Sequence, residues 1–251
     1  MELSPEIVLL LFLVSTAAGW VDAIAGGGGL ITLPTLILVG LPPAAALATN
    51  KLQGSIGSLT ASIYFLRKGA VSINKIRLLI VFTFWGSIFG SWLVSKINPK
   101  DLIIYLPIFL VLMGLYFLFS PDIGNVDKKQ KLTLLLFGLL VCPILGFYDG
   151  FFGPGTGSFM ALSFVFFCGY SISKATANAK ILNFTSNLSS LIYFVIFGQV
   201  YWRVGLIMIA GQFIGATYGA KMVLDRGVSI IKPVIVSVCF LMSIRILLMH
   251  L

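Results

Sequence analysis

Residues 19–51 read GWVDAIAGGGGLITLPTLILVGLPPAAALATNK. Four consecutive glycines, two adjacent prolines, Asp22 and Lys51 interrupt a stretch that is otherwise apolar. A related stretch, residues 146–180, reads GFYDGFFGPGTGSFMALSFVFFCGYSISKATANAK. Polar and helix-breaking residues are costly inside a bilayer, so their use at matching positions in two apolar stretches predicts the two halves of one site.

The composition predicts a membrane protein. Hydrophobic residues make up 59% of the 251 residues and charged residues only 10%, and the mean hydropathy is +1.06. Soluble domains are about one quarter charged. The apolar runs are continuous rather than alternating, which favours an all-α polytopic membrane protein over an outer-membrane barrel.

The apolar segments fall into two groups of five, separated by a polar linker at residues 121–131. We interpret residues 1–120 as a first transmembrane repeat and residues 132–251 as a second. The segments are 5–23, 29–40, 43–67, 76–96 and 101–120, then 132–149, 155–170, 172–198, 203–222 and 228–250.

The two groups also align with each other in sequence. Asp149 holds in the second group the place that Asp22 holds in the first, and Lys180 likewise matches Lys51. The motif GSIFG at residues 86–90 matches GATYG at residues 215–219. Because these matches follow one another in the same order and at nearly constant spacing, they indicate an internal duplication.

The distribution of Lys and Arg predicts the orientation. If all ten segments cross the membrane, eleven of the 17 basic residues fall on one side and four on the other, with Lys51 and Lys180 inside the bilayer. The positive-inside rule then places the linker in the cytoplasm and both termini outside. Five crossings per repeat make the repeats inverted.

The short second segment of each repeat complicates this topology. Residues 29–40 form about 18 Å of helix, too little to cross the bilayer alone, so a break within the membrane is expected. If 29–40 and 155–170 were re-entrant, the basic residues would divide almost evenly between the two sides. The prediction is therefore 8–10 transmembrane segments, with short or broken helices at the glycine-rich motifs.

The glycine-rich motifs are candidate anion sites. Each motif precedes a short helix, and a helix N-terminus carries unpaired N–H donors and partial positive charge. The alternative is that the glycines only allow helices to pack tightly, as we expect for GSIFG and GATYG. The candidate substrate-binding residues of these motifs are Gly26, Gly27, Gly28, Gly29, Gly153, Gly155 and Thr156.

Lys51 and Lys180 each lie about nine residues into a long predicted helix, and polar residues follow them at helical spacing. The resulting faces are predicted to line a water-accessible path. The alternative is that the lysines reach the headgroups and the hydroxyls bond their own helix. The faces comprise Lys51, Ser55, Ser58 and Ser62, and Lys180, Asn183, Asn187 and Ser190; the candidate substrate-binding residues are Thr49, Asn50, Lys51, Gln53, Asn178, Lys180 and Asn183.

Asp22 and Asp149 fall near the C-terminal ends of their predicted helices, where the helix dipole disfavours a carboxylate. They are candidates for proton coupling or gating, and the alternative is that they pair with a lysine or cap the break. An intramembrane aspartyl protease is disfavoured, because the two aspartates are repeat equivalents rather than two different motifs. His250 is the only histidine, and Cys142, Cys168 and Cys239 stand alone, so neither a metal site nor a cofactor is predicted.

The pattern resembles the sulfite exporter TauE/SafE family of membrane transporters. The resemblance rests on the two glycine-rich stretches, on LQG at residues 52–54 and on ATANAKILNFTSNLSSLIYF at residues 175–194. It implies a multi-pass protein of a prokaryotic plasma (inner) membrane that moves sulfur-containing anions. The second motif departs from four glycines by its Pro154 and Thr156, so the two half-sites need not contribute equally.

These observations predict a secondary transporter of small anions that works by alternating access and is not an enzyme; sulfite or organosulfonates are the anions that the resemblance implies. A passive anion channel is the alternative, and a non-transporting scaffold or intramembrane enzyme is a third. The expected partners are the anion and the lipid bilayer. The net charge of +9 does not indicate nucleic acid, because the basic residues lie in short loops. Homo-oligomerisation stays open.

Overall fold

The computed structural model describes residues 3–97, 108, 111, 112, 115 and 127–226. The predicted segment 228–250, nearly all of 101–120, most of the linker, Cys239 and His250 lie outside the described residues. No strand occurs among the residues described. The helices are α1 (Pro5–Ala25), α2 (Gly28–Leu38), α3 (Pro43–Arg67), α4 (Ile73–Val94), α5 (Leu134–Leu140), α6 (Cys142–Phe151), α7 (Thr156–Cys168), α8 (Ile172–Phe197) and α9 (Trp202–Arg226).

Proline and glycine set the ends of these helices close to the predicted bounds. The Ser4 hydroxyl caps α1 at its N-terminus, and Gly26 ends the helix with a left-handed φ of 73°. Pro143 separates α5 from α6, because it has no N–H to donate to the preceding turn. The predicted segment 132–149 is therefore one apolar span with an interruption at Val141.

Five spans in the described part of the chain are long and apolar enough to cross a membrane. Large apolar side chains point outwards from them, with Trp85 64%, Phe197 70% and Phe213 56% exposed. Such a surface suits lipid rather than water. The all-α polytopic fold is therefore confirmed. The spans are Pro5–Ala25, Ile73–Val94, Leu134–Phe151, Ile172–Phe197 and Trp202–Val223. The ten crossings, the domain boundaries and the inverted orientation stay predictions.

Helices of the two predicted repeats pack against each other through glycines. In α9, a Cβ on Gly215 would meet the backbone carbonyl of Thr16 in α1. In α4, which aligns with α9 in the predicted repeats, a Cβ on Gly86 would meet the backbone carbonyl of Pro143 in α6. The prediction that GSIFG and GATYG pack helices tightly is confirmed. The contacts are reciprocal: α1 lies against α9, and its equivalent α5–α6 lies against α4.

We expect Gly215→Ala to destabilise the protein by about 1–3 kcal/mol, because the new methyl group would force α1 and α9 apart. Thermal unfolding in detergent would measure the loss. Gly138→Ala in α5 is the matched control, since the nearest atoms to its Cβ would belong to the Leu79 and Phe82 side chains, at an ordinary 3.4 Å and 3.5 Å. Equal effects of the two substitutions would contradict this account of the packing.

Asp127 and Lys128, which precede α5, form hydrogen bonds with residues at and beside the loop between α7 and α8. Asp127 accepts hydrogen bonds from the Ser171 backbone N–H at 2.6 Å and from Lys174 Nζ at 2.9 Å. The backbone N–H of Lys128 donates to the carbonyl of Gly169 at 2.7 Å. The hydrogen bond from Lys174, followed by that from Ser171, holds the pKa of Asp127 below its usual value.

This lowered pKa predicts the pH dependence of the attachment. The carboxylate of Asp127 stabilises the folded state above its unfolded pKa of about 3.9, and the contribution disappears as the pH falls through the lower folded pKa. We expect Asp127→Asn to lower the melting temperature slightly at neutral pH, because exposed ion pairs contribute at most about 1 kcal/mol. The difference from the wild type should vanish in acid; a difference that grows in acid would contradict the assignment.

Candidate functional site

The two glycine-rich loops touch each other. Gly26 and Gly153, which align with each other in the two predicted repeats, adopt left-handed φ values of 73° and 96°. A Cβ on Gly26 would collide with the backbone of Gly157, so the two loops approach as closely as glycine permits. The Ser158 hydroxyl donates to the carbonyl of Ala25 and ties the start of α7 to the end of α1.

The first loop folds the chain back on α1. A Cβ on Gly28 would meet the Asp22 side chain and the carbonyl of Ala18, so α2 starts beside the last turns of α1 and does not continue along its axis. The Gly28 N–H donates to Asp22 Oδ1 at 3.3 Å. Asp22 thus caps the N-terminus of α2, as its capping interpretation predicts.

Each buried lysine pairs with an aspartate of the other predicted repeat. Lys51 Nζ lies 2.9 Å from Asp149 Oδ1, and it also donates to the backbone carbonyl of Asp149. Lys180 Nζ lies 2.9 Å from Asp22 Oδ2. Both lysines are only 1% exposed. Their burial does not fit the alternative in which they reach the headgroups. Each aspartate pairs with a lysine, and a role of Asp22 and Asp149 in proton coupling or gating stays a prediction.

The two pairs differ in their surroundings. The Asp22 side chain is 16% exposed, and both of its carboxylate oxygens have partners. The Asp149 side chain is 2% exposed, and its Oδ2 has no hydrogen-bond partner among the described residues. The two pairs are therefore not identical in structure, and unequal contributions of the two half-sites stay a prediction.

A small polar cavity lies between the two pairs. Its volume is about 20 Å³, which is room for roughly one water molecule. On one wall, Asn50 Oδ1 accepts hydrogen bonds from Thr32 Oγ1 at 2.6 Å and Gln53 Nε2 at 2.7 Å. The lining residues are Asp22, Gly26, Gly28, Gly29, Asn50, Gln53, Gly54, Asp149, Gly153, Asn183, Asn187 and Gln212.

Nine predicted site residues line this cavity, and both lysines adjoin it through their aspartates. Others lie elsewhere. Thr49 Oγ1 accepts from the Tyr201 N–H at 3.0 Å, and Asn178 Nδ2 donates to the carbonyl of Lys174 at 2.8 Å. Thr156 Oγ1 donates to the carbonyl of Gly153 at 2.7 Å. Gly27 and Gly155 are the N-cap residues of α2 and α7. We therefore expect these five to shape the site without contacting a ligand in this conformation.

The serines of the predicted polar faces do not line the cavity. Ser55 and Ser58 donate to the carbonyls of Lys51 and Gly54, both at 2.6 Å, within their own helix. Ser190 shares a hydrogen bond of 2.7 Å with Ser87 of α4. The path-lining interpretation therefore fits Asn183 and Asn187 but not these serines, whose small polar side chains serve packing between helices.

Gly54 and Gln212 were not predicted from the sequence, and Asn187 was placed only on the polar face. Gln212 lies in the apolar sequence IAGQFIG of α9 and is 2% exposed. A lone amide inside a membrane segment is itself a signal, because such residues usually face the interior of the bundle. Gln212 was overlooked because the neighbouring GATYG motif led us to interpret this part of α9 as a packing surface.

Known proteins share this sequence over nearly its whole length. Residues 11–246 match the family described as sulfite exporter TauE/SafE. The chain belongs to this family. A probable membrane transporter protein of Haemophilus influenzae is 49% identical to it over 245 residues, 98% of this chain and 96% of that protein. The probable membrane transporter protein YfcA of Escherichia coli is 47% identical over 97% of this chain and 91% of that protein. The probable membrane transporter protein YdhB of Bacillus subtilis is 25% identical over 86% of this chain and 88% of that protein.

Membership of the TauE/SafE family confirms the resemblance seen in the two glycine-rich stretches. It identifies the chain as a multi-pass membrane transporter. The relatives' names mention transport and no catalytic activity. The substrate and the mechanism have to be inferred from the geometry and chemistry of the site.

Proposed function

We propose that this protein is a secondary transporter of small sulfur-containing anions, such as sulfite or an organosulfonate. The observation that carries the proposal is the reciprocal pairing of two buried lysines with aspartates across the two repeats. Buried ammonium groups are expensive to desolvate, and function is the usual reason why membrane proteins keep them. The family description, sulfite exporter, names a small anion, and paired ammonium groups are a chemistry that binds anions.

The donors for the anion lie where the two glycine loops meet. The Lys51 ammonium group lies beside Gly153, at 2.9 Å from where a Cβ would stand, and the Lys180 ammonium group lies beside Gly157, at 3.3 Å from the corresponding point. The positive ends of α2 and α7 begin at the same loops. An anion that displaces an aspartate from its lysine would thus find a cation and a helix N-terminus together.

Alternating access is the mechanism that this arrangement favours. A cavity of about 20 Å³ is too small for sulfite, so the anion would enter only when the helices around it move apart. The reciprocal contacts of α1 with α9 and of α4 with α6 fit two inverted halves that rock about the glycine loops. In this cycle Asp22 and Asp149 act as gates, holding the lysines when no anion is bound.

Thermal stabilisation against a panel of anions tests the proposal: sulfite, sulfate, thiosulfate, taurine, sulfoacetate, acetate and chloride. An anion at about 100 times its Kd should stabilise the wild type by roughly 2.7 kcal/mol. We expect at least one sulfur anion to stabilise the wild type in this way. The stabilisation should be lost in the double variant Lys51→Ala/Asp149→Asn, which removes the ammonium group without leaving a charge unpaired. Lys129→Ala, an exposed lysine, is the control. No response to any anion, or an equal response in the double variant, would overturn the proposal.

A further inference from the structure

Three of the residues that line the cavity each carry a buried side-chain oxygen without a hydrogen-bond partner in the described part of the chain. Among the residues described, Gln53 Oε1, Asp149 Oδ2 and Gln212 Oε1 are buried without a hydrogen-bond partner. All three residues line the cavity and are 1%, 1% and 2% exposed. More than nine in ten buried polar groups normally have a partner. Three exceptions around one cavity indicate a ligand that accepts lone pairs.

The position of Gln212 is fixed by two glycines. Its Oε1 lies 2.8 Å from where a Cβ on Gly19 would stand, and a Cβ on Gly57 would collide with the same atom. The amide therefore fills a gap that α1 and α3 leave open for it. This packing fixes the Gln212 side chain, which lines the cavity, as a binding group requires.

The chemistry of these oxygens selects the ligand. Carboxylate and amide oxygens bind hard cations. The only carboxylate of the three residues is already paired with Lys51, so a divalent ion would leave an uncompensated buried charge. A proton would satisfy one acceptor directly, whereas one metal cation binds several oxygens at once.

We propose that the cavity is a sodium site in which Asp149 Oδ2, Gln53 Oε1 and Gln212 Oε1 bind one Na⁺. The nearby charged groups, Lys51, Lys180, Asp22 and Asp149, sum to zero. Na⁺ alone adds a buried positive charge and a monoanion alone adds a negative one, whereas the two together keep the site neutral. Each ion therefore binds more tightly when the other is present. This coupling rests on the proposed function, whereas the sodium site itself does not.

The site is confined to the Asp149 side of the protein. With Lys180 aligned on Lys51, the second-repeat equivalent of Gln53 is Leu182, and the first-repeat equivalent of Gln212 is Thr83. Neither supplies an amide oxygen, and both carboxylate oxygens of Asp22 have partners. We therefore expect one Na⁺ to bind per chain.

Equilibrium binding of radioactive Na⁺ to the full chain in lipid nanodiscs tests the site, at constant pH and with choline chloride holding the ionic strength. We expect saturable binding of one ion per chain that NaCl displaces and choline chloride does not. Gln212→Met and Gln53→Met each remove one oxygen at similar volume and should raise the Kd about tenfold or more. Gln199→Met, at an exposed loop position, should leave it unchanged.

Three results would overturn the proposal: no saturable Na⁺ binding by the folded protein, a Kd that neither glutamine variant changes, or a ligand response that follows pH and ignores Na⁺. Repeating the measurement with the anion panel separates this proposal from the previous one. A lower Kd for Na⁺ with a sulfur anion supports the coupling. Sodium binding that no anion alters would overturn the coupling but not the site, and anion binding without sodium binding would overturn the site but not the substrate class.

Discussion

Lys51→Ala is expected to destabilise the protein by about 3–5 kcal/mol and to abolish anion transport. The substitution leaves Asp149 buried and unpaired, because the Lys51 ammonium group supplies its ion pair and also bonds its backbone carbonyl. Chemical or thermal unfolding of the purified protein measures the first effect, and uptake at matched protein levels measures the second.

Two further variants separate charge pairing from transport. Lys51→Ala/Asp149→Asn should recover much of the lost stability, since no charge is left alone, and should stay inactive. Lys180→Ala should destabilise less than Lys51→Ala, because Asp22 is 16% exposed and keeps its hydrogen bond from the Gly28 N–H. A Lys51→Ala protein that is as stable as the wild type and transports normally would refute the ion-pair account.

Gly26→Ala is expected to prevent correct folding or to cost more than about 3 kcal/mol, which exceeds the usual cost of overpacking alone. A non-glycine residue at a left-handed φ costs about 1–2 kcal/mol by itself. At Gly26 the methyl group would also collide with the backbone of Gly157 and Ser158, which has no side-chain freedom to move away. Expression level and thermal unfolding of the variant measure the effect.

Gly69→Ala isolates the conformational part of this cost. Gly69 has nearly the same φ of 69°, is exposed, and has no atom within 4 Å of where its Cβ would lie. We expect it to fold with a loss of about 1–2 kcal/mol. The same small effect for both substitutions would contradict the claim that Gly26 is required by the close contact between the two glycine loops.

The helices of the described part could be predicted because their ends carry strong local signals. Pro43 starts α3, Gly26 ends α1, and each apolar run has a length that suits a helix in a membrane. The interruption at Val141 was not predicted, although Pro143 explains it once the helix is known. Local chemistry fixed these features, so the sequence alone could indicate them.

The partners within the site could not be predicted in the same way. Lys51 is much nearer to Asp22 than to Asp149 along the chain, yet it pairs with Asp149. That choice depends on how the two repeats pack, and periodicity within one helix contains no information about it. The faces of α3 and α8 were likewise ambiguous, because serines at helical spacing suit a polar path and a close helix contact equally well.

Gln212 illustrates a different limit. Its polarity was visible in the sequence, but only the packing of α9 on α1 brings it to the cavity beside residues from α3. A search for every lone amide in an apolar segment would have found it, but would also have selected residues such as Asn178, which bonds its own helix. Burial and hydrogen-bond partners separate the two cases.

Counterflow in proteoliposomes tests the central claim most directly. Vesicles loaded with an unlabelled sulfur anion, chosen from the stabilising members of the panel, are diluted into a trace of the same anion carrying a radioactive label. The account predicts a transient accumulation of label above equilibrium in vesicles with the wild type, and none in vesicles with Lys51→Ala/Asp149→Asn. Equilibration without accumulation would indicate a channel, and equal accumulation in both proteins would show that the paired lysine is not part of the transport site.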